Sequence, residues 1–330
     1  PRWRSAAALP REPAPLLHIL LSIAPIFVLI VLGHLLRRGG IPSLEFWNLN
    51  DRLVYWVLMP ALLFNKTSTI ELQPSVVGAY AVVILGAFAA AALFGLLSSK
   101  VMGLPGPVAS SVLQGAARHN TFIALAVAER LYGTDGLAIA AVATSLLIPT
   151  TNVTMVTLMV SLVRGPDEKR ILRSILRDLT RNPLILSVGL GVAWNILGAN
   201  VFGRGQIPVV HDVTRLLGGA ALPVVLLCVG ANIHIRAMAA SALPLLLSSL
   251  GKLVVFPLAI VALAQVMDLS ETETLVALLF GAVPTASSAY TLARQLGGDA
   301  PLMAAIVTVQ TGLAFVTLPL TMAVAAQFLG

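Results

Sequence analysis

Charge is scarce in this chain. Only 11% of its 330 residues are Asp, Glu, Lys or Arg, against 58% hydrophobic residues and a mean hydropathy of +0.92. A soluble domain of this length cannot hide that much apolar surface, so the composition is that of an integral membrane protein. Cysteine is nearly absent: Cys228 stands alone in an apolar run, which excludes an intrachain disulfide and a cysteine metal cluster. Missing too are H-E-x-x-H, G-x-S-x-G, G-x-x-x-x-G-K, a dinucleotide-binding glycine pattern and any pair of carboxylates inside an apolar run. The expectation is therefore no enzyme, no cofactor, no metal and no ATP-driven pump, with gradients as the energy source for any transport. Basic residues outnumber acidic ones, 21 to 14. The excess sits in short loops between apolar runs, where it reports membrane orientation rather than nucleic-acid binding.

What the chain does have is length without charge. A helix needs about 20 apolar residues to cross the hydrocarbon core. Gly, Pro and charge divide the sequence into runs of that size: Leu16 to Leu36, Phe46 to Asn65, Ser75 to Ser98, Pro107 to Arg130 and Gly136 to Val163, then Pro183 to Phe202, Val210 to Asn232, Ser241 to Met267, Glu273 to Gln295 and Ala300 to Phe328. Residues 1–15, with Arg2, Arg4 and Arg11 among prolines, are expected to be a disordered leader. Between the fifth and sixth runs lies a basic segment, 164–182. Its Ile171, Leu172, Ile175, Leu176 and Leu179 recur at helical spacing opposite Lys169, Arg170, Arg173 and Arg177, as in a helix lying on the membrane surface; a solvated linker is the plainer alternative. This segment and Arg37-Arg38 fall on one side if every run spans. The positive-inside bias puts that side in the cytoplasm and both termini outside.

The chain repeats itself. A shift of 165 positions, half its length, lays Asn120 on Thr285, Ala128 on Ala293, Leu131 on Leu296, Gly133 on Gly298, Leu137 on Leu302 and Val142 on Val307. LMPALLF around Pro60 likewise resembles ALPVVLL around Pro223. Five spans per half is an odd number, so the halves enter the membrane from opposite sides. The expected fold is all-α, with ten transmembrane helices as two inverted five-helix repeats, 16–163 and 183–330.

The centres of the fourth and ninth runs carry the chemistry. In LQGAARHNTFIALAVA, Arg118, His119 and Asn120 interrupt a stretch able to span; in LLFGAVPTASSAYTLA, Pro284, Thr285, Ser287 and Ser288 do the same. A basic side chain at a bilayer centre costs roughly 2.5 to 3.5 kcal/mol on insertion scales, which calls for a reason. Two interrupted helices crossing at the midplane would present half-helix N-termini to an anionic group, and Arg118 adds a charge and a fork of donors suited to a carboxylate. Against that stands Arg118 as a structural pair with a carbonyl or a neighbouring helix. His119 either takes a proton or hydrogen-bonds between helices. Asn152, with Thr150 and Thr151, lines the pathway or bonds between helices. Lys252 belongs to the pathway or snorkels to an interface, and Gln310 is a weaker case of the same kind.

These residues resemble the auxin efflux carrier family, which includes the plant PIN-FORMED carriers and bacterial malonate-type carriers. The likeness covers almost the whole chain. It rests on VLGHLLRRGGIP, LVYWVLMPALLFN, HNTFIALAVAERLYG, RNPLILSVGLGVAWNILG, LPVVLLCVGA and AVPTASSAYTLARQLGGD in that order. The resemblance implies a scaffold domain and a transport domain, an elevator-like movement around crossed fourth and ninth helices, and homodimers through the scaffold. The family's P-N-T pattern matches Asn120 and Thr121 here, and Pro284 matches the proline of the second crossing. His119 replaces the first proline and leaves Gly115 as the nearest helix breaker, so unwinding of the fourth helix stays open. The third span also lacks the acidic residue of the plant carriers.

The expected function is a secondary transporter of small organic anions, carboxylates similar to malonate or auxin, in the inner cell membrane, with the lipid bilayer, the substrate and a second copy as partners and no nucleic acid. The alternative is a sensor or channel on the same scaffold.

Overall fold

The computed structural model describes residues 16–69, 74–164, 181–201, 207–233 and 242–329, and among these the chain is helical without a strand. The expected leader and nearly all of the basic segment 164–182 lie outside the described residues.

In chain order the helices are α1 (Leu16–Arg38), α2 (Leu44–Leu53), α3 (Met59–Thr69), α4 (Pro74–Val101), α5 (Gly106–Ala117), α6 (Thr121–Arg164) and α7 (Pro183–Val201). They continue as α8 (Val210–Ala231), α9 (Ala242–Leu250), α10 (Phe256–Val266), α11 (Glu271–Ala282), α12 (Ser288–Leu296) and α13 (Ala300–Leu329). Local chemistry sets the ends. Ser43 caps α2 by accepting from the Phe46 amide at 3.1 Å, and Ser270 with Glu273 forms a capping box at α11. Gly133, at φ +63°, bends α6 between its first turns and a long second part. Single π-helical turns, Val54–Leu58 and Gly251–Val255, join α2 to α3 and α9 to α10 without ending the helix.

Among the described residues six helical stretches are long and apolar enough to cross a membrane: Ile19–Arg38, Gly78–Val101, Gly106–Val163, Val210–Ala231, Ala242–Val266 and Ala300–Phe328. Pro183–Leu197 is apolar but shorter. The stretch Gly106–Val163 holds both the fourth and the fifth expected runs, bent at Gly133. Of two further runs, α2–α3 is continuous through its π turn but carries Asp51, Arg52 and Lys66, and α11–α12 is broken between Ala282 and Ser288. Leu17, Leu21, Val28, Val31 and Leu35 on α1, and Val316, Leu320, Val324 and Phe328 on α13, are exposed, as expected of helices facing lipid.

The helices pack in two groups. α1 lies along α8, and α3 lies against both α7 and α8. Contact between α1 and α8 is backbone to backbone: a Cβ on Gly33 would overlap the Leu227 carbonyl, and one on Gly230 would overlap that of Ile30. The second group gathers α4, α5, α9 and α10, with α11 held among α6, α10 and α13. α6 and α13 touch α1, and α6 also meets α3, joining the two groups.

The two broken helices repeat each other closely. α5 and α11 are both 12 residues long and begin 165 positions apart. Each ends on an extended residue: Arg118 has φ −69°, ψ 150° and Val283 has φ −69°, ψ 152°. Their amides bond back to equivalent carbonyls, Gln114 and Leu279. At the second break Pro284 explains the extended residue before it, since proline disfavours helix at the preceding position. The first break has no proline. There Asn120 restarts the helix, accepting from the Ile123 amide through Oδ1 at 3.2 Å and so acting as the N-cap of α6. The fourth helix is therefore unwound at His119, which the sequence had left open.

Candidate functional site

The breaks are tied to each other. The Asn120 amide donates to the Pro284 carbonyl at 2.8 Å, and the Thr285 hydroxyl donates to the Gly115 carbonyl at 2.9 Å. Gln310 reaches in from α13, giving its Nε2 to the same Gly115 carbonyl at 2.9 Å and accepting the Thr285 amide at 3.1 Å. Backbone groups freed by unwinding at depth in a membrane protein must find such partners.

Beside this crossing is a cavity of about 210 Å³. Of the expected site residues, Arg118, His119, Asn120, Thr121, Asn152, Ser287 and Ser288 line it. The sequence did not single out Tyr55, Phe122, Ile148, Asn182 and Leu184, which complete much of its wall. Tyr55 sits on the π turn of the second run, and Asn182 caps α7 by accepting from the Leu184 amide at 3.0 Å. Polarity inside an apolar helix marked the first set. Tyr55, Phe122, Ile148 and Leu184 carried no such contrast with their neighbours.

Four expected residues lie elsewhere. Thr285 and Gln310 are fully buried behind the cavity and hold the crossing together rather than facing a ligand. Lys252 neither lines the cavity nor snorkels: it is 0% exposed, with Nζ donating to the Phe280 carbonyl at 2.7 Å and lying 4.3 Å from the Phe256 ring centroid. Pro284 is buried and contributes its carbonyl to Asn120. Thr150 does not reach the cavity, while its neighbour Thr151 does.

Arg118 is only 8% exposed. Its Nη2 donates to the Ser288 hydroxyl at 3.2 Å, while Nε and Nη1 are buried without a partner. Among the described residues no carboxylate lies within ion-pair distance of it, and its one partner, Ser288, lies on a neighbouring helix. The His119 Nδ1 and Thr151 hydroxyl are also buried and unpartnered. The first turn of α6 opens at Thr121 against the same space, and its N-terminal amides carry partial positive charge. Unpaired donors, a full charge and a helix N-terminus together fit an anion with several acceptor oxygens. Tyr55, Phe122, Ile148 and Leu184 offer an apolar wall to the rest of such a molecule.

A second cavity, of about 480 Å³, shares Tyr55, Phe122, Ser287 and Ser288 with the first. It runs between the two helix groups toward Arg37, Asp51, Asn232 and Arg294. Arg37 there donates to the Ala231 carbonyl at 2.8 Å and to Asn232 Oδ1 at 3.0 Å, and Asn232 donates to Asp51 at 2.7 Å. The orientation signal read from Arg37 thus also closes the C-terminal end of α8.

Comparison with known proteins agrees with the motifs and the membrane-spanning helices. Residues 18–322 match the family model described as membrane transport protein. An uncharacterized transporter of Methanothermobacter thermautotrophicus is 25% identical over 311 residues, covering 91% of this chain and 96% of that protein. The chain is a multi-pass membrane protein of a transporter family, not of an enzyme family, and it belongs to the membrane transport protein family, the auxin efflux carriers that its motifs resemble.

Proposed function

We propose that the protein is a secondary transporter of small organic anions, carboxylates held at the crossing of the two broken helices. The observation that carries this is Arg118: a buried guanidinium with Nε and Nη1 unpartnered, in the wall of a cavity between two helix breaks. A buried cation without a counter-ion is costly, and an arriving carboxylate removes that cost. Arg118, His119, Asn120, Thr121, Asn152, Ser287 and Ser288 form the substrate site, and Thr285, Pro284 and Gln310 keep its backbone in place.

The wider architecture follows the same reading. Ten spans form two inverted repeats, a view supported by the matched lengths and end geometry of α5 and α11. The group of α1, α2, α3, α7 and α8 is the scaffold and the dimer surface. The group carrying both breaks moves against it as an elevator, along the interface where the larger cavity lies. With Arg37 and the segment 164–182 in the cytoplasm and both termini outside, the two cavities open inward.

Ligand-dependent melting tests the site. A ligand that binds only the folded state at about 100 times its Kd adds about 2.7 kcal/mol. A small carboxylate should raise the melting temperature of purified protein while its uncharged amide at equal concentration does so far less. Equal shifts for acid and amide would contradict an anion site.

A further inference from the structure

The larger cavity, of about 480 Å³, is lined by three charged side chains, Arg37, Asp51 and Arg294. Two of them are engaged. Arg37 donates to the Ala231 carbonyl and to Asn232 Oδ1, and Asp51 accepts from Asn232 at 2.7 Å with Arg37 in electrostatic reach. Arg294 is different. It is exposed, and among the described residues it has neither an ion pair nor a hydrogen bond, only the Tyr290 ring 5.9 Å from its guanidinium carbon. The acid nearest to it in the chain, Asp299, is occupied in capping α13 through the Leu302 amide at 2.9 Å.

The helix that carries Arg294 joins the two cavities. α12 buries Ala289 and Ala293 in one cluster with Leu302, Met303 and Ile306 of α13. Toward the larger cavity, Ser287, Thr291 and Arg294 follow at intervals of four and three residues, which is one helical face. Ser287 and Ser288 line both cavities. The face therefore begins beside Arg118, where Ser288 accepts from the guanidinium, and ends at Arg294, about 9 Å along the axis at 1.5 Å per residue. A basic residue in the last turn of a helix has an ordinary role, to offset the partial negative charge of the terminal carbonyls. Any exposed face would serve that role. Here the arginine stands on the face that runs to the substrate cavity, and the carbonyls it offsets are those that would repel an anion moving along it.

We propose that Arg294 is the cation of a second anion subsite, in the larger cavity, where a carboxylate is held before it reaches Arg118. The hydroxyls of Thr291 and Ser287 lie on the face between the two positions. Because Arg294 is exposed, its charge costs nothing to maintain, and solvent and salt screen it. The subsite is accordingly the weaker of the two and the more sensitive to ionic strength. As the outer member of a pair, it rests on the anion site proposed above.

Counting bound anions tests it. The probe is radiolabelled benzoate, measured by equilibrium dialysis against the purified full chain at low and at high salt. At low salt the wild type should bind two benzoates per chain with unequal affinity, and high salt should remove the weaker one first. Arg294→Gln should lose the weaker site and hold the tighter one within about twofold, because separated sites act independently. Arg118→Gln should lose the tighter site and keep the weaker. If Arg294→Gln does not fold, Thr291→Glu takes its place: a carboxylate one helical turn from Arg294 pairs with it and should abolish the weaker site. A single wild-type site, lost in Arg118→Gln and untouched in Arg294→Gln, overturns the second subsite and leaves the anion site standing. Two sites that survive Arg294→Gln or Thr291→Glu overturn it equally. A single site lost in Arg294→Gln and kept in Arg118→Gln contradicts the anion site itself, and with it the pair; absence of any binding contradicts both.

Discussion

Replacing Arg118 by Gln has two effects that an ordinary structural arginine would not show together. In the absence of ligand the guanidinium is buried at 8% exposure with one neutral partner, the Ser288 hydroxyl, and two nitrogens without any. An uncompensated buried ion carries an effective desolvation penalty of several kcal/mol, so removing the charge should leave the empty protein as stable as before or more so, by about 1 kcal/mol. With ligand the sign reverses. A hydrogen bond to a charged group contributes about 1.5 to 3 kcal/mol, so a carboxylate should bind Arg118→Gln roughly 10- to 150-fold more weakly. Differential scanning fluorimetry on purified protein, with and without the bound acid, measures both effects in one series. A melting temperature that falls in the empty protein, with unchanged affinity, would refute the functional role and make Arg118 a structural residue.

Four other outcomes follow from the same geometry. Gln310→Leu strands the Thr285 amide at the crossing and leaves the Gly115 carbonyl with the Thr285 hydroxyl alone, and should lower stability by about 1 to 3 kcal/mol in chemical or thermal unfolding, since a buried amide is left unpaired. Asn120→Ala removes the N-cap of α6 and should cost about 1 kcal/mol, and it should also weaken ligand binding less than Arg118→Gln does. Gly230→Ala puts a methyl into the Ile30 carbonyl and should separate α1 from α8, with a loss of melting temperature that Gly219→Ala, where the space is open, does not show. A cysteine at Arg173 should resist an impermeant thiol reagent in intact cells while one at Gly330 reacts; the opposite pattern reverses the proposed orientation.

Much of this arrangement was readable before any coordinates, for a physical reason. In a membrane, a polar residue inside an apolar run stands out, so Arg118, Asn120, Ser287 and Ser288 declared themselves by contrast, and the 165-residue shift paired the two breaks. Other features carried no such contrast. Tyr55 and Ile148 look like ordinary apolar wall until the π turn and the long second part of α6 bring them to one cavity. Thr285 looked like a ligand contact because polarity alone does not tell which way a hydroxyl points; its bond to Gly115 turns it away. Lys252 lies away from the cavity and from the surface because a π turn shifts the helical register, and no sequence period announces one. The replacement of proline by His119 left the first break undecided, and Asn120 settled it through a cap that is local chemistry, visible once its partner Ile123 is known.

Counterflow tests the central claim most directly. Proteoliposomes preloaded with an unlabelled carboxylate that stabilises the purified protein are diluted into the same labelled acid at tracer concentration. A carrier with one site exposed alternately to the two sides accumulates label transiently above equilibrium, faster than in unloaded vesicles, and Arg118→Gln abolishes the overshoot. Label that enters at the same rate with or without preloading, or a current without exchange, would identify a channel; binding without any flux would identify a sensor; either result contradicts a transporter of organic anions.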